Sequence, residues 1–196
     1  MIGFGQLTMI PDANFEQELI NLGYDNGAIN GSVYTAMINT VTNLDISSSN
    51  ISDLTGIEAF TDLTSLVCDH NQLTSLDVST NLDLTFLNCS TNVLTSLDVS
   101  NNLALTYLDC SINTLTSLDI SQNTALTTLW CFDNQLTSLD VSQNTDLIDL
   151  YCWLNQLTIL DVRNGNNTNF TFFDITNNPN LSCINVDDFQ YSLFNW

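Results

Sequence analysis

Apolar positions recur along most of the chain with a fixed period of 21 residues. The motif Leu-Thr-Ser-Leu-Asp begins at Leu73, Leu94, Leu115 and Leu136, and the variant Leu-Thr-Ile-Leu-Asp begins at Leu157. A constant period of this length is typical of proteins in which short structural repeats stack on one another. The pattern therefore predicts a solenoid rather than a globule with one central sheet.

Each period divides into two half-repeats of the same form. Residues 94–102 and residues 105–113 both follow Leu-x-x-Leu-x-(Val or Cys)-x-x-Asn. The alternation in the middle of each half places two side chains inward and the residue between them outward, as in a strand. We predict a leucine-rich-repeat solenoid with two short parallel strands per coil, which lie on opposite walls of a narrow apolar core.

Two columns of asparagine mark the turns of this predicted solenoid. An inward amide at a turn satisfies backbone groups of its own coil and of the next coil, which cannot stay unpaired when buried. We expect both columns to be structural: Asn71, Asn92, Asn113, Asn134 and Asn155 in one, and Asn81, Asn102, Asn123 and Asn144 in the other.

Over residues 63–186 the pattern resembles short bacterial leucine-rich repeats of the irregular (IRREKO) class, as found in secreted proteins of marine and host-associated Bacteroidetes. Residues 44–57 resemble a 22-residue internalin-type repeat, which would enter the same solenoid with a short helical back. The resemblance implies an exported, surface-exposed or adhesion-related protein that binds other proteins. It also implies that relatives often continue into a sorting domain, so that this chain would be the repeat domain alone.

The two ends of the chain are predicted to cap the solenoid. Residues 12–22 have the pattern of an amphipathic helix, with Phe15, Leu19 and Leu22 on one face. We divide the chain into an N-terminal segment and helical cap (1–41), the repeats (42–186) and a C-terminal cap (187–196). Two interpretations of residues 1–6 stay open: the remainder of a secretory signal behind an added methionine, or a disordered N-terminus.

The charge balance excludes several classes of partner. The chain has 22 acidic residues against a single cation, Arg163, and a formal net charge of −21. Such a field repels nucleic acid and anionic membrane surfaces, and it attracts loosely held cations. Because no apolar run approaches the roughly 18 residues of a membrane helix, we predict no membrane insertion.

Five cysteines also follow the 21-residue period at an inward position. We predict a row of buried free thiols, with a zinc site or a disulfide framework as the alternative. Cys183 falls instead in the outward column of Ser75 and is expected to be exposed or to pair outside the chain. The five periodic cysteines are Cys68, Cys89, Cys110, Cys131 and Cys152.

The outward positions of the two walls differ in variability. One wall repeats serine and aspartate, whereas the other varies strongly and carries large aromatic residues that a solenoid core does not require. Exposed aromatic residues beside carboxylates are typical of binding surfaces, although the rings also stabilise a sheet by packing across strands. We predict six partner-binding residues on this variable wall: Phe86, Tyr107, Trp130, Phe132, Tyr151 and Trp153.

Candidate chemistry outside the variable wall is sparse. The aspartates at 77, 98, 119, 140 and 161 form a column that is a candidate calcium site, and loosely held counter-ions are the alternative. His70 is the single histidine and is predicted to be a surface residue in a turn. No catalytic motif is recognised, so we expect no enzyme activity, no cofactor and no metal site.

These patterns favour a secreted or surface-exposed interaction module that binds a protein partner through the aromatic, variable wall. A carbohydrate-binding module is the first alternative, since rings in a row with aspartates nearby are able to stack on sugars. A structural spacer without a ligand is the second alternative. Ice or mineral binding by the regular wall is disfavoured by its charge and by the absence of a Thr-x-Thr array.

Overall fold

A computed structural model describes residues 5–190 and 192 of the chain, and it confirms a leucine-rich-repeat solenoid. Nearly every element is three residues long, as expected when each coil adds one short strand to a wall. In chain order the elements are β1 (Leu7–Met9), α1 (Ala13–Asn21), β2 (Ser32–Tyr34), α2 (Thr35–Ile38), β3 (Asn43–Asp45), β4 (Ser65–Val67), β5 (Phe86–Asn88), β6 (Tyr107–Asp109), β7 (Thr128–Trp130), β8 (Ser138–Asp140), β9 (Asp149–Tyr151), β10 (Ile159–Asp161), β11 (Phe172–Asp174) and β12 (Cys183–Asn185).

One wall of the solenoid is a seven-stranded parallel sheet in the order β3-β4-β5-β6-β7-β9-β11. The middle residue of each strand points into the core, as Leu87 and Leu108 do, and the residues on either side point outward. A short 3-10 turn at Ile57–Ala59 forms the back of the first coil, as the resemblance to an internalin-type repeat implies. The period in the sequence thus becomes the spacing between adjacent strands.

The opposite wall carries a shorter ladder than predicted. Its strands are β8, β10 and β12, and among the described earlier coils it has an isolated bridge between Asp77 and Asp98. In those coils buried asparagine amides connect neighbouring turns. Asn102, for example, donates from Nδ2 to the carbonyl oxygens of Val78 at 3.0 Å and Asn81 at 2.9 Å.

The asparagine beside the seven-stranded sheet satisfies several backbone groups at once, which confirms its structural role. Nδ2 of Asn113 donates to the carbonyl oxygens of Cys89, Cys110 and Ser111 at 3.1–3.2 Å. Its Oδ1 accepts from the backbone N–H of Leu94 at 3.0 Å. One side chain therefore holds its own turn together and ties it to the preceding coil.

The five periodic cysteines lie in the core as free thiols, as predicted. Burial in apolar surroundings disfavours the thiolate, and it raises the pKa of Cys152 to about 12. Cys183 lies exposed on β12, opposite Ile159 of β10, which confirms its outward register.

Helix α1 covers the N-terminal end of the solenoid. Asp12 caps it by accepting from the backbone N–H groups of Asn14 and Phe15. Phe15 and Leu19 are buried as predicted, but the placement of Leu22 on the buried face was wrong: the helix ends at Asn21, and Leu22 is 44% exposed.

The rest of the N-terminal segment contains structure that the sequence pattern did not indicate. Strands β1 and β2 form an antiparallel pair, and α2 follows directly after β2. Glu16 is fully buried on α1 and accepts from the backbone N–H groups of Asn30 and Gly31 at 2.6 and 2.7 Å. The two interpretations of residues 1–6 depend on residues 1–4, which lie outside the described residues.

At the C-terminal end the period breaks, as the sequence indicates. The extra residues form a 3-10 turn at Asn167–Asn169 before β11. The predicted cap at 187–196 falls largely outside the described residues, since 191 and 193–196 are among those left out. The limits of the three predicted segments therefore stay predictions.

Candidate functional site

The variable wall has the register that the columns in the sequence predicted. Along the first outward column of the seven-stranded sheet, Phe86 pairs with Tyr107 and Asp149 pairs with Phe172. Along the second outward column, Asp109 pairs with Trp130. Outward side chains at equivalent positions of successive coils therefore lie side by side on adjacent strands, 21 residues apart at Phe86 and Tyr107 and 23 apart at Asp149 and Phe172.

Five of these side chains form a continuous series of ring contacts that crosses from one column to the other; we call it the ring ladder. Phe86 and Tyr107 stack with centroids 4.3 Å apart and planes at 6°. Trp130 makes edge contacts with Tyr107 at 5.6 Å and Tyr151 at 5.7 Å. Tyr151 in turn stacks on Phe172 at 6.1 Å. The ladder runs over five strands: β5, β6, β7, β9 and β11.

The other two predicted site residues, Phe132 and Trp153, form a second stack just past the cysteine column. Their centroids are 4.7 Å apart and their planes meet at 8°. All six predicted residues thus lie on one wall, and each is half-buried by its neighbours. This arrangement stabilises the sheet whether or not a partner binds.

Phe172 belongs to this surface but was not among the six predicted residues. It is 56% exposed, more than any other ring of the ladder. The signal was present, since Phe172 falls in the first outward column when the half-repeat at 170–178 is aligned.

A buried carboxylate lies within the ring ladder. Asp109 is 6% exposed and accepts on Oδ1 from the backbone N–H of Ser111 at 3.0 Å and from its hydroxyl at 2.6 Å. Burial raises the pKa of Asp109, and the negative charge of Asp69 adds to the effect. Burial, with Asp109 and Asp69 nearby, also raises the pKa of Tyr107 to about 12.

Trp130 contributes a polar group that the described residues leave unpaired. Its Nε1 is buried and has no hydrogen-bond partner in the part of the chain that the structure describes. Its ring plane lies at 64° to Tyr107 and at 88° to Tyr151, so Trp130 is turned relative to both neighbours. The ladder is held by ring packing at this point, not by a hydrogen bond.

The aspartates of the opposite wall are engaged in local turns. Oδ1 of Asp77, for example, accepts from the backbone N–H of Ser79 at 3.0 Å, and hydrogen bonds from that serine lower the pKa of the carboxyl. Hydrogen bonds from Arg163 lower the pKa of Asp161 to about 2. Within residues 5–190 and 192, no three His, Cys, Asp or Glu side chains converge on a point that suits a metal ion.

His70 lies exposed in a turn, as predicted, with Nδ1 2.6 Å from Oδ2 of Asp69. Among the described residues, no helix is both long enough and apolar enough to cross a membrane.

No protein-family model matches the chain. Over 71 residues it is 41% identical to internalin J of Listeria monocytogenes serotype 4b, which covers 36% of this chain and 8% of that protein. The chain therefore spans a small part of the length of this relative. The solved structure of internalin C2 from Listeria monocytogenes has a TM-score of 0.70 at 21% identity, and the match covers 100% of this chain and 96% of the other.

A more distant structural likeness is the leucine-rich-repeat ectodomain of the receptor kinase GASSHO1/SCHENGEN3 from Arabidopsis thaliana, solved in complex with Casparian strip integrity factor 2. Its TM-score is 0.63 at 19% identity, over 74% of this chain and 21% of the other. Together these likenesses support a bacterial leucine-rich-repeat protein. The Bacteroidetes origin and the irregular repeat class stay predictions.

Proposed function

We propose that this chain is a secreted or surface-exposed interaction module that binds a protein partner through the aromatic, variable wall. The contacts would be made by the ring ladder and by the stack of Phe132 on Trp153. Leucine-rich-repeat proteins of this kind are usually interaction modules rather than enzymes, and the ectodomain from Arabidopsis thaliana was solved with a bound factor. We assign no catalytic role to any residue.

The observation that carries the proposal is the continuity of the ring ladder on the wall that varies. The inward leucines and cysteines already build the core, so the fold does not require rings outside it. Half-buried rings that hold each other in place lose little side-chain entropy when a partner covers them, which favours binding. Rigid aromatic anchors of this kind often dominate the binding energy of a protein interface.

The geometry favours a protein over a sugar as the partner. A sugar ring stacks on a flat aromatic face, but the faces of Phe86 and Tyr107 are turned toward each other, as are those of Phe132 and Trp153. The stacked rings are covered by one another, so they offer edges more than faces. Ring edges with carboxylates beside them fit the surface of a protein, where apolar and polar groups lie side by side.

The proposal is tested with replacements that the chain itself uses in the same columns. Trp130→Asn copies Asn88, and Trp153→Thr copies Thr176, so the double variant should fold. The matched control is Ser117→Ala with Ser138→Ala on the opposite wall. Partners are captured from the native extracellular environment on immobilised wild type and on both variants, after circular dichroism and melting have shown that all three are folded.

We expect a protein that is retained by the wild type and by the control but lost by the ring variant. Retention by all three chains would show that the aromatic wall is not the binding surface. A glycan array is probed in parallel: a strong signal that the ring variant loses would establish the carbohydrate alternative. If neither assay depends on the rings, the spacer interpretation is correct and the proposal is wrong.

Export is tested separately by fractionating the native cells and detecting the chain with an antibody. We expect it in the medium or at the cell surface, accessible to added protease. Recovery in the cytoplasmic fraction would contradict this part of the proposal and leave the binding surface unaffected.

A further inference from the structure

Two rings and two carboxylates alternate where the ring ladder ends. On the adjacent strands β9 and β11, Asp149 pairs with Phe172 and Tyr151 pairs with Asp174. The rings of Tyr151 and Phe172 stack across one diagonal of this square at 6.1 Å and 24°. The carboxylates therefore occupy the other diagonal, one on each side of the stacked rings. We call these four residues the quartet.

In each carboxylate of the quartet, one oxygen accepts hydrogen bonds from the chain and the other is left to accept one from a partner. Oδ1 of Asp174 accepts from the backbone N–H of Thr176 at 2.9 Å and from its hydroxyl at 2.7 Å. Oδ1 of Asp149 accepts from the hydroxyl of Thr171. Among the described residues neither Oδ2 atom has a hydrogen-bond partner, and both aspartates are half-buried. The carboxylates are thus held in position, and each keeps one oxygen that is able to accept a further hydrogen bond.

A related arrangement with a single carboxylate occurs at β6 and β7, and there the carboxylate is buried. Tyr107 and Trp130 lie on one diagonal of that square, and Thr128 and the buried Asp109 lie on the other. The quartet lies at the end of the seven-stranded sheet, because β11 is the last strand in its order within the described part of the chain. Among the described residues no further ring stacks on Phe172, and this residue is 56% exposed.

We propose that the quartet binds the guanidinium group of an arginine side chain from the partner, an inference that rests on the proposed protein-binding function. A guanidinium is planar, stacks on an aromatic face, and donates hydrogen bonds to carboxylates on both sides. Phe172 supplies the face, and Asp149 and Asp174 supply the acceptors.

The charge of the chain points the same way. With a net charge of −21 it attracts basic surfaces, and its own single cation is not available to fill the quartet. Arg163 is held by Asp161, with Nε to Oδ1 at 2.9 Å and a second contact from Nη2 to Oδ2 at 2.5 Å. The guanidinium must therefore come from another molecule.

The inference is tested on the full chain with a defined probe, a capped Gly/Ser heptapeptide that carries one central arginine. Binding is followed by NMR chemical-shift titration at physiological salt. The same peptide with citrulline keeps the shape but removes the charge, and a lysine version keeps the charge but removes the planar fork. We expect binding to weaken by roughly tenfold with citrulline and by a smaller factor with lysine. Equal binding of the citrulline or lysine peptide would overturn the assignment to arginine.

Two double variants with the same change in net charge distinguish binding at the quartet from general attraction to the acidic surface. Asp149→Asn with Asp174→Asn should weaken the arginine peptide by roughly tenfold, because both acceptors lose their charge. Asp98→Asn with Asp119→Asn, on the opposite wall, should change the affinity by less than about twofold. Equal losses in both variants would show that the peptide is attracted by net charge alone.

These outcomes are independent of the test for the protein partner. If the peptides do not discriminate but the Trp130/Trp153 variant loses its partner, the arginine inference is wrong and the proposed function stands. If the quartet discriminates but the ring variant keeps every partner, the aromatic wall as a whole is not the interface.

Discussion

Asn88 and Asp109 lie opposite each other on β5 and β6 and make the same pair of hydrogen bonds. Asn88 accepts from the backbone N–H and hydroxyl of Ser90, and Asp109 accepts from the same groups of Ser111. One position in the repeat therefore accommodates either an amide or a carboxylate with the same local geometry. The difference between the two is the charge that Asp109 carries into a buried position.

We predict that Asp109→Asn stabilises the protein at pH 7. The amide retains the acceptor for Ser111 and removes a carboxylate whose pKa is raised by burial. Since the folded-state pKa is raised, ionisation of Asp109 opposes folding at neutral pH. This penalty decreases as the pH falls through the folded-state pKa and is absent below the ordinary value of 3.8. Urea unfolding across this pH range should show the advantage of the variant disappearing in acid.

The control for this prediction is Asp98→Asn. The carboxyl of Asp98 is fully exposed, and hydrogen bonds from Ser100 lower its pKa, so its ionised form favours the folded state above pH 3.8. Removal of that charge should not stabilise the protein. A gain from Asp98→Asn equal to that from Asp109→Asn would mean that relief of the net charge, and not of burial, is responsible.

Asn113→Ala should destabilise the protein by about 3 kcal/mol, because it leaves buried carbonyl groups and one buried N–H without a partner. The affected groups include the carbonyls of Cys89 and Cys110 and the N–H of Leu94. Chemical denaturation measures the change. Gln135→Ala, at an exposed position beside the same column, should stay within about 0.5 kcal/mol of the wild type. Similar values for the two variants would contradict a structural role for the asparagine column.

Ile112→Asn should stabilise the protein by about 1 kcal/mol. Ile112 has a φ of 52°, which a β-branched residue adopts at a cost, and its side chain is 41% exposed. The same turn position is occupied in other coils by His70, Asp133 and Asn177, which also have positive φ. The melting temperature is the readout. Val93→Asn, at an exposed β-branched residue without positive φ, should give no increase. An equal increase would mean that replacing an exposed apolar side chain by a polar one is responsible.

The stack of Phe86 on Tyr107 should contribute a coupling free energy of about 0.5–1.5 kcal/mol in the absence of any ligand. A double-mutant cycle measures it with Phe86→Ser and Tyr107→Thr, which copy Ser65 and Thr128 of the same column. Phe86→Ser combined with Phe132→Ser serves as the reference pair, since no ring contact joins those two residues. That pair should be additive within about 0.5 kcal/mol. A coupling near zero for the first pair would mean that the rings are not retained for packing.

Native protein should contain one fast-reacting thiol, Cys183, and five that react only on unfolding. Cys183 is exposed, whereas the other five are fully buried and their pKa values are raised by that burial. Titration with a chromogenic disulfide reagent, with and without denaturant, counts both classes. Cys183→Ser should abolish the fast phase. A second fast thiol would contradict the buried row.

Much of this molecule is present in the sequence as periodicity. Each 21-residue step carries the inward leucines, the cysteine and the asparagine of a coil, so the stacking, the register of the seven-stranded sheet and the grouping of six rings on one wall were all predictable. A period specifies these features because equivalent residues of successive coils must be neighbours when strands stack about 4.8 Å apart.

Only the tertiary structure decided which neighbours on that wall are buried, stacked or open. Asp109 and Asp149 look alike in the sequence, but the first is buried between the strands of the ring ladder and the second is half-buried near its end. Phe172 is the last ring of the ring ladder because β11 is the last strand of its sheet among the described residues. A repeat specifies the column in which a side chain stands, whereas its exposure and hydrogen bonding depend on the size and orientation of the side chains on the coils above and below.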